Sequence, residues 1–430
     1  MKDNKRPRVV IVGAGFAGLW ATRALAGKEV DVILIDRQNY HTFLPLLYQV
    51  SAAEIEPEGI AYPVRSILRG MKNVTFDMAV VLHIDSENKK VICEDHEVPF
   101  DYLILAAGST TAFFKVEGAE QFSFQLKTID QAIVLRNHIL ARFEHAAHEK
   151  DETELAKRLT FVIVGGGATG IEFIGAFSEL IHGPVEKDFP EIDMSKVKII
   201  LIEGKDCLLP MMPPTLRDYT VQKLREKGVE VCLQAIVEHV DENGVTLRDG
   251  RRINSETVIW TAGVKGNLAE DMLDIPLTRD QRIEAQCTLQ VPGHSNIYVA
   301  GDLAMVRFKD GFVPMVAPTA MVMGETAAKN ILRQIRGEAQ LAYEYHDKGS
   351  MVVIGRNGGV AAVGKLKFKG FAAWIMWLVV HLMKLIGFRN RLLVLINWAW
   401  DYLFFERSIR LIMPSCLAEP PFCRKTCKKC

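Results

Sequence analysis

Two hydrophobic periodicities alternate along this chain. Short β-branched runs, Val9-Val10-Ile11-Val12 and Phe161-Val162-Ile163-Val164, end in glycine, as strands of a parallel sheet buried on both faces do. Each run enters a stretch with apolar residues at helical spacing. The pattern predicts strand 8–12, helix 16–27 and strand 30–35 ending at Asp36, then a later strand from Tyr102 to Ala107. A second series repeats the order, with a strand at 161–164, a helix, strand 197–202 ending at Glu203, and Thr257–Trp260. Asn296 to Asp302 reads as one more strand, and Pro318-Thr319 opens a helix running to about Ile335. The fold class predicted is α/β, with two Rossmann-like dinucleotide-binding domains.

The segments between strand and helix carry the chemistry. Gly13-Ala14-Gly15-Phe16-Ala17-Gly18 and Gly165-Gly166-Gly167-Ala168-Thr169-Gly170 share one spacing. The first glycine permits a tight turn, the second lets backbone approach a pyrophosphate, and the third lets the helix pack on the strand. Phosphates then rest on the free N–H groups at the helix start. Asp36 lies 18 residues beyond Gly18 and Glu203 lies 33 beyond Gly170. Each is placed to meet a ribose hydroxyl. The longer second gap contains a Pro/Gly/charge-rich stretch, 183–196, read as a surface insertion. Glu203 would repel a 2′-phosphate, which favours NADH over NADPH.

Near the C-terminus the pattern changes. Phe371 to Ile386 is apolar and Trp-rich, Gly387-Phe388-Arg389-Asn390-Arg391 breaks it, and Leu392 to Phe405 resumes it. Neither stretch reaches the roughly 20 apolar residues that a bilayer-spanning helix needs. Amphipathic helices lying in a membrane interface, or pairing in a dimer, are expected. The net charge of zero hides an asymmetry that fits this expectation. From Lys365 onward 12 Lys/Arg stand against three acids, leaving 40 basic and 49 acidic residues before it. An acidic body argues against nucleic acid, and a basic, aromatic tail suits an anionic lipid surface.

Three regions follow: 1–112 with 263–345 as a first, discontinuous dinucleotide-binding domain, 113–262 as a second that favours NADH, and 346–430 as a membrane-association and dimerisation region. No apolar signal segment is read before the first strand, so secretion is not expected. Cys93, Cys207, Cys232 and Cys287 are scattered singly, without the close pair that a disulfide reductase needs. Cys423, Cys427 and Cys430 form a basic tail of no assigned role. No metal is expected.

Taken with Asn39 to Val50, Ile60 to Arg65 and Ala300-Gly301-Asp302, the two turns resemble those of type II NADH:quinone oxidoreductases. These are single-subunit, non-pumping respiratory flavoenzymes, and the resemblance runs from about residue 8 to residue 413. It implies FAD held by Gly13, Gly15, Phe16, Ala17, Asp36, Arg37, His41, Gly108, Asp302, Thr319 and Ala320. It implies NADH held by Gly165, Gly167, Thr169, Glu203 and Gly263. Glu172 matches a family acid beside nicotinamide and flavin, and its place in the first helical turn would suit the helix dipole.

The resemblance departs at one place. Members carry two glutamines where this chain has Met321 and Glu325, and a thioether cannot donate a hydrogen bond to a quinone carbonyl. Glu172 and Glu325 are the candidates for proton management, with Met321 on the quinone side. His41 or Glu325 would supply the polar contact. The reaction implied is hydride transfer from NADH to FAD, then two electrons to a membrane quinone. A peripheral place on the cytoplasmic face of the membrane and a homodimer are implied with it. A reductase for a specialised naphthoquinone or a protein acceptor stays open, as does a membrane-associated NADH-sensing flavoprotein with little turnover.

Overall fold

The computed structural model describes residues 6–268, 272–309, 311–407 and 409–412; Cys423, Cys427 and Cys430 lie outside them. The chain forms two compact units. One runs to Thr42 and adds Ala61–Ala112 and Val264–Asp347; the other takes Phe43–Ile60, Phe113–Gly263 and the chain from Lys348.

Five strands, all paired in parallel, make the first unit's sheet, ordered Ile297–Val299, Tyr102–Leu105, Arg8–Val12, Asp31–Asp36, Val74–Met78. The second unit's sheet runs Phe124–Gln125, Thr257–Trp260, Thr160–Val164, Lys198–Ile202, Val229–Cys232, again parallel throughout. The β-branched runs sit at the centre of each sheet, where both faces are covered. Val9, Val10 and Ile11 are fully buried, as are Phe161, Val162 and Ile163.

The internal echo extends to register. Val12 pairs with Ile35 and Val164 with Ile202. Gly13 N–H donates to the Ile35 carbonyl and Gly165 N–H to the Ile202 carbonyl, both at 2.8 Å. Each unit also carries a three-stranded antiparallel sheet, Val81–Asp85 with Lys90–Cys93 and Glu97–Pro99 in one, Val237–Asp241 with Gly244–Leu247 and Arg252–Asn254 in the other.

Several expectations need correcting. The first helix spans Phe16–Leu25, two residues shorter than expected, because Gly27 turns into the left-handed region at φ 71°. The stretch 183–196 is only partly surface: Ile181–Val185 continues the preceding helix as a π-turn with Gly183, Pro184 and Val185 buried. The break in the tail is confined to the link before Phe388, since the second tail helix already starts there. The tail helices are Phe371–Lys384 and Phe388–Phe404. A three-stranded sheet before them, Ser350–Val353, Gly359–Val363 and Leu366–Lys369, went unread in the sequence. Among the described residues no helix is long and apolar enough to cross a membrane.

Candidate active site

Both glycine turns have the same construction. Gly13 and Gly165 take φ of 107° and 114°, which a side chain would resist. A Cβ on Gly18 would collide with the Gly13 carbonyl oxygen, and one on Gly170 with that of Gly165. Around Gly15 and Gly167, by contrast, a Cβ would meet no protein atom within 4 Å. These middle glycines begin the helices Phe16–Leu25 and Ala168–Leu180, with no side-chain cap and no acid in the first turn. The first N–H groups of a helix have no partner within the helix, and no acid stands in the first turn of either one. Such a cradle fits a pyrophosphate.

The strand-end carboxylates close each turn in the same way. Asp36 Oδ2 accepts from Ala14 N–H at 2.6 Å and Oδ1 from Gln38 N–H at 2.8 Å. Glu203 Oε2 accepts from Gly166 N–H at 2.7 Å and Oε1 from Lys205 N–H at 2.8 Å. The 33-residue gap thus brings Glu203 to the position that Asp36 reaches in 18. Burial pushes the Asp36 carboxyl upward, opposed by its two backbone donors and the exposed Arg37.

Other expected residues of the first unit gather near its turn. Gly301 approaches so closely that a Cβ there would lie 3.0 Å from Ala17 Cβ and 3.5 Å from Ala320 Cβ. Asp302 accepts from Ser109 Oγ at 2.7 Å, joining it to the loop at Gly108. Thr319 is buried and hydrogen-bonded to Tyr343. His41 is buried edge-on to Phe16, ring centres 5.0 Å apart, with Nδ1 2.9 Å from the Ala14 carbonyl. Burial lowers its pKa to about 4, with Arg23 acting in the same direction. The ring is therefore neutral, Nδ1–H donates, and Nε2 is an acceptor with no partner among the described residues. A buried open acceptor beside the glycine turn fits a bound flavin nucleotide.

Glu325 does not share this setting. Its side chain is 41% exposed and 3.9 Å from Lys329, one turn along the helix Ala317–Ile335. Met321 is buried. Between them Gly324 serves packing, since a Cβ there would collide with the Ala17 carbonyl and separate the two helices.

In the second unit Gly263 has φ 71° and is covered by the Phe114 ring, while Thr169 is exposed near the glycine turn. Glu172 is the fifth residue of its helix rather than a first-turn acid, so the helix dipole does not explain it. Packing does. Its Oε1 accepts from Trp377 Nε1 at 2.9 Å and lies 3.5 Å from Val353 N–H. Burial raises its pKa to about 8, against those two donors, so it is a neutral acid at pH 7.

Glu172 lines a cavity of about 320 Å³ walled largely by Trp374, Leu378, Leu382, Leu395 and Trp398. Opposite the apolar wall stand polar groups that sequence reasoning missed. Trp398 Nε1 donates to Gln49 Oε1 at 3.0 Å, and Gln49 Nε2 donates to the buried Tyr48 hydroxyl at 3.2 Å. A mostly apolar pocket with a few convergent polar groups suits a flat hydrophobic molecule with carbonyl oxygens. Glu54 lines the same cavity, and its signal was present in Ala52-Ala53-Glu54-Ile55, an acid inside an apolar run.

Paired dinucleotide turns in one chain define a nicotinamide-dependent flavoprotein oxidoreductase. Residues 7–324 match the pyridine nucleotide-disulphide oxidoreductase family and 347–407 the NDH2 C-terminal domain. The type II NADH:quinone oxidoreductase Ndh of Mycobacterium tuberculosis is 38% identical over 419 residues, covering 94% of this chain and 90% of that one. One from Staphylococcus aureus is 32% identical over 388 residues, covering 87% and 94%. The structure of NDH2 from Plasmodium falciparum in complex with NADH superposes with TM-score 0.87 at 21% identity, over 95% of this chain and all of the other. The chain belongs to the type II NADH:quinone oxidoreductases.

Proposed function

We propose that the chain oxidises NADH and reduces a membrane quinone through FAD, with the quinone entering the cavity lined by Glu172 and Trp377. The observation that carries this reading is the pair of identically built turns in one chain with an apolar, carboxyl-bearing cavity. Gly13, Gly15, Phe16, Ala17, Asp36, Arg37, His41, Gly108, Asp302, Thr319 and Ala320 would hold FAD. Gly165, Gly167, Thr169, Glu203 and Gly263 would hold NADH. The flavin, when bound, accepts a hydride from the nicotinamide and gives two electrons to the quinone.

The protein's own part is positioning and proton control. The uncapped helix starts bind the pyrophosphates, and Asp36 and Glu203 take the ribose hydroxyls. Neutral Glu172 offers a carboxyl O–H to a quinone carbonyl while Trp377 fixes its other oxygen. Met321 contributes apolar surface, and Glu325 acts at most through solvent.

Anaerobic stopped-flow at the flavin band tests the reading. NADH should bleach the band rapidly and a menaquinone or ubiquinone analogue should restore it. Bleaching without recovery would remove the quinone half and favour a protein acceptor or a sensor. In the same instrument NADPH should bleach slowly. A Cβ at Gly204 would make only an ordinary contact with Ile236 Cγ1 at 3.7 Å, so an arginine can begin there without a clash, and Glu203→Ala with Gly204→Arg is the variant to accept a 2′-phosphate. That variant should shift preference toward NADPH at least about tenfold, the size of one charged hydrogen bond. An unchanged preference would mean that the ribose is bound elsewhere.

The reading includes a peripheral place on the cytoplasmic membrane face, and the tail helices support its peripheral part. They expose Phe371, Val379, Met383, Phe388, Leu403 and Phe404, more apolar surface than water-facing helices keep. The same helices offer a surface for a homodimer. Leu403→Glu with Phe404→Glu should weaken binding to anionic vesicles more than about tenfold in a flotation assay while leaving flavin content intact.

A further inference from the structure

The cavity of the second unit holds more proton chemistry than Glu172. Glu54, in the loop after the helix Leu47–Ser51, is 11% exposed, with Oε1 2.8 Å from Arg407 Nη2. Arg407 is 2% exposed and also faces Glu179 Oε2 and Asp401 Oδ1, each at 3.6 Å. Its Nη1 donates to the carbonyls of Ala52 and Ala176. Lys227 Nζ lies 3.0 Å from Glu179 Oε1, and Arg356 N–H donates to that same oxygen. Glu54, Glu179 and Asp401 all line the cavity. Their exposure rises in that order, from 11% through 18% to 29%, so the cluster grades from the interior toward water.

Reducing a quinone to a quinol takes two electrons and two protons. A nicotinamide hydride brings two electrons with one proton, so each turnover draws one proton from water. We propose that Glu54, paired with Arg407, delivers that proton to the quinone in the cavity, and that Glu179 and Asp401 return one to it from water. The proposal rests on the cavity being the quinone site.

In the delivering step the carboxyl O–H bond of Glu54 breaks and the quinone oxygen gains the proton as electrons arrive. A carboxylate remains beside Arg407. A water-derived proton, passed along Asp401 and Glu179, then restores the acid.

Geometry favours Glu54 over Glu172 for this role. Among the described residues Glu172 has only neutral donors, Trp377 and the Val353 amide, around its Oε1. Ionising it would leave a buried charge without a cation. Ionised Glu54 has a guanidinium at 2.8 Å. Burial, with Asp401 and Glu179, raises Glu54 to about 8, while Arg407 and Lys227 hold it down. The nearby Tyr48 phenol is raised and stays protonated. Asp401 is raised too, mainly by burial, with Glu179 adding to it and Arg407 and Arg356 opposing. Glu54 therefore carries a proton at pH 7 and can lose it without stranding a charge.

The test uses the full-length holoenzyme and its Glu54→Gln and Glu54→Asp variants. Glu54→Gln should slow flavin reoxidation by a ubiquinone analogue roughly 100-fold, within the range for a lost general acid. Glu54→Asp should recover part of that rate, and added formic acid should partly rescue Glu54→Gln. Infrared titration of the oxidised protein without quinone should show two buried carboxyls ionising near pH 8 in the wild type and one in Glu54→Gln. Quenching of tryptophan fluorescence by the quinone analogue reports the cavity separately. If the analogue quenches both proteins but Glu54→Gln reoxidises at the wild-type rate, the proton assignment falls and the cavity reading survives. Absence of quenching in the wild type would instead overturn the cavity reading, and this proposal with it.

Discussion

Arg407→Ala should destabilise the protein by about 3–5 kcal/mol, the usual cost of removing one partner from a buried ion pair. The side chain is 2% exposed and is shared by Glu54, Glu179, Asp401 and two backbone carbonyls. Truncation removes the guanidinium from all five, and of the three carboxyls Glu54 loses its closest cation while Glu179 keeps Lys227 at 3.0 Å. The loss should also depend on pH. Arg407 favours ionised Glu54, so its removal raises that carboxyl beyond about 8. At pH 6 Glu54 is protonated in both proteins and the penalty is smaller. At pH 9 the wild type gains from the ion pair and the variant does not, so the gap widens. Urea denaturation at the two pH values measures this. An equal loss at both would mean that Arg407 acts by packing alone.

The second large effect separates two glycines that the motif treats alike. Gly18→Val places Cβ against the Gly13 carbonyl oxygen, with Ile11 Cγ2 at 3.4 Å behind it. Helix and strand must part, costing about 3 kcal/mol or more, the upper end of overpacking, and flavin should be lost with the turn. At Gly15 a Cβ meets no protein atom within 4 Å and φ is an ordinary −72°. The Gly15→Val apoprotein should melt within about 1 kcal/mol of the wild type, yet purify with little flavin because the branched side chain fills the phosphate approach. Thermal unfolding of apoproteins, with flavin absorbance on purification, checks both. A fully yellow Gly15→Val protein would move the pyrophosphate away from that helix start.

What could be read from sequence was what the chain builds locally. Turn, strand and carboxylate fall within 24 residues in Gly13 to Asp36, and each carries its own physical reason. Glu203 was legible despite its longer gap because a strand-end acid has few other uses. Glu172 came from the resemblance, and only the supporting argument failed: what holds it is Trp377, 205 positions away, not the dipole of its helix. Glu54 and Arg407 are 353 residues apart, and no periodicity links them. In the Met321 to Glu325 segment the structure adds a packing reason that the sequence did not display. Gly324 must be small to let Ala17 approach, so part of that segment answers to helix packing rather than to a substrate.

Chain order also matters while the protein is being made. The first unit's sheet gains its last strand only with Ile297–Val299, and Glu54 meets its guanidinium only when Arg407 emerges from the ribosome. Tyr102–Leu105, apolar and buried, must wait with one neighbour missing until Ile297–Val299 is made. Exposed strand edges of this kind invite mispairing between nascent chains. Efficient production should therefore depend on translation pace and on chaperones that shield the open edge of Tyr102–Leu105.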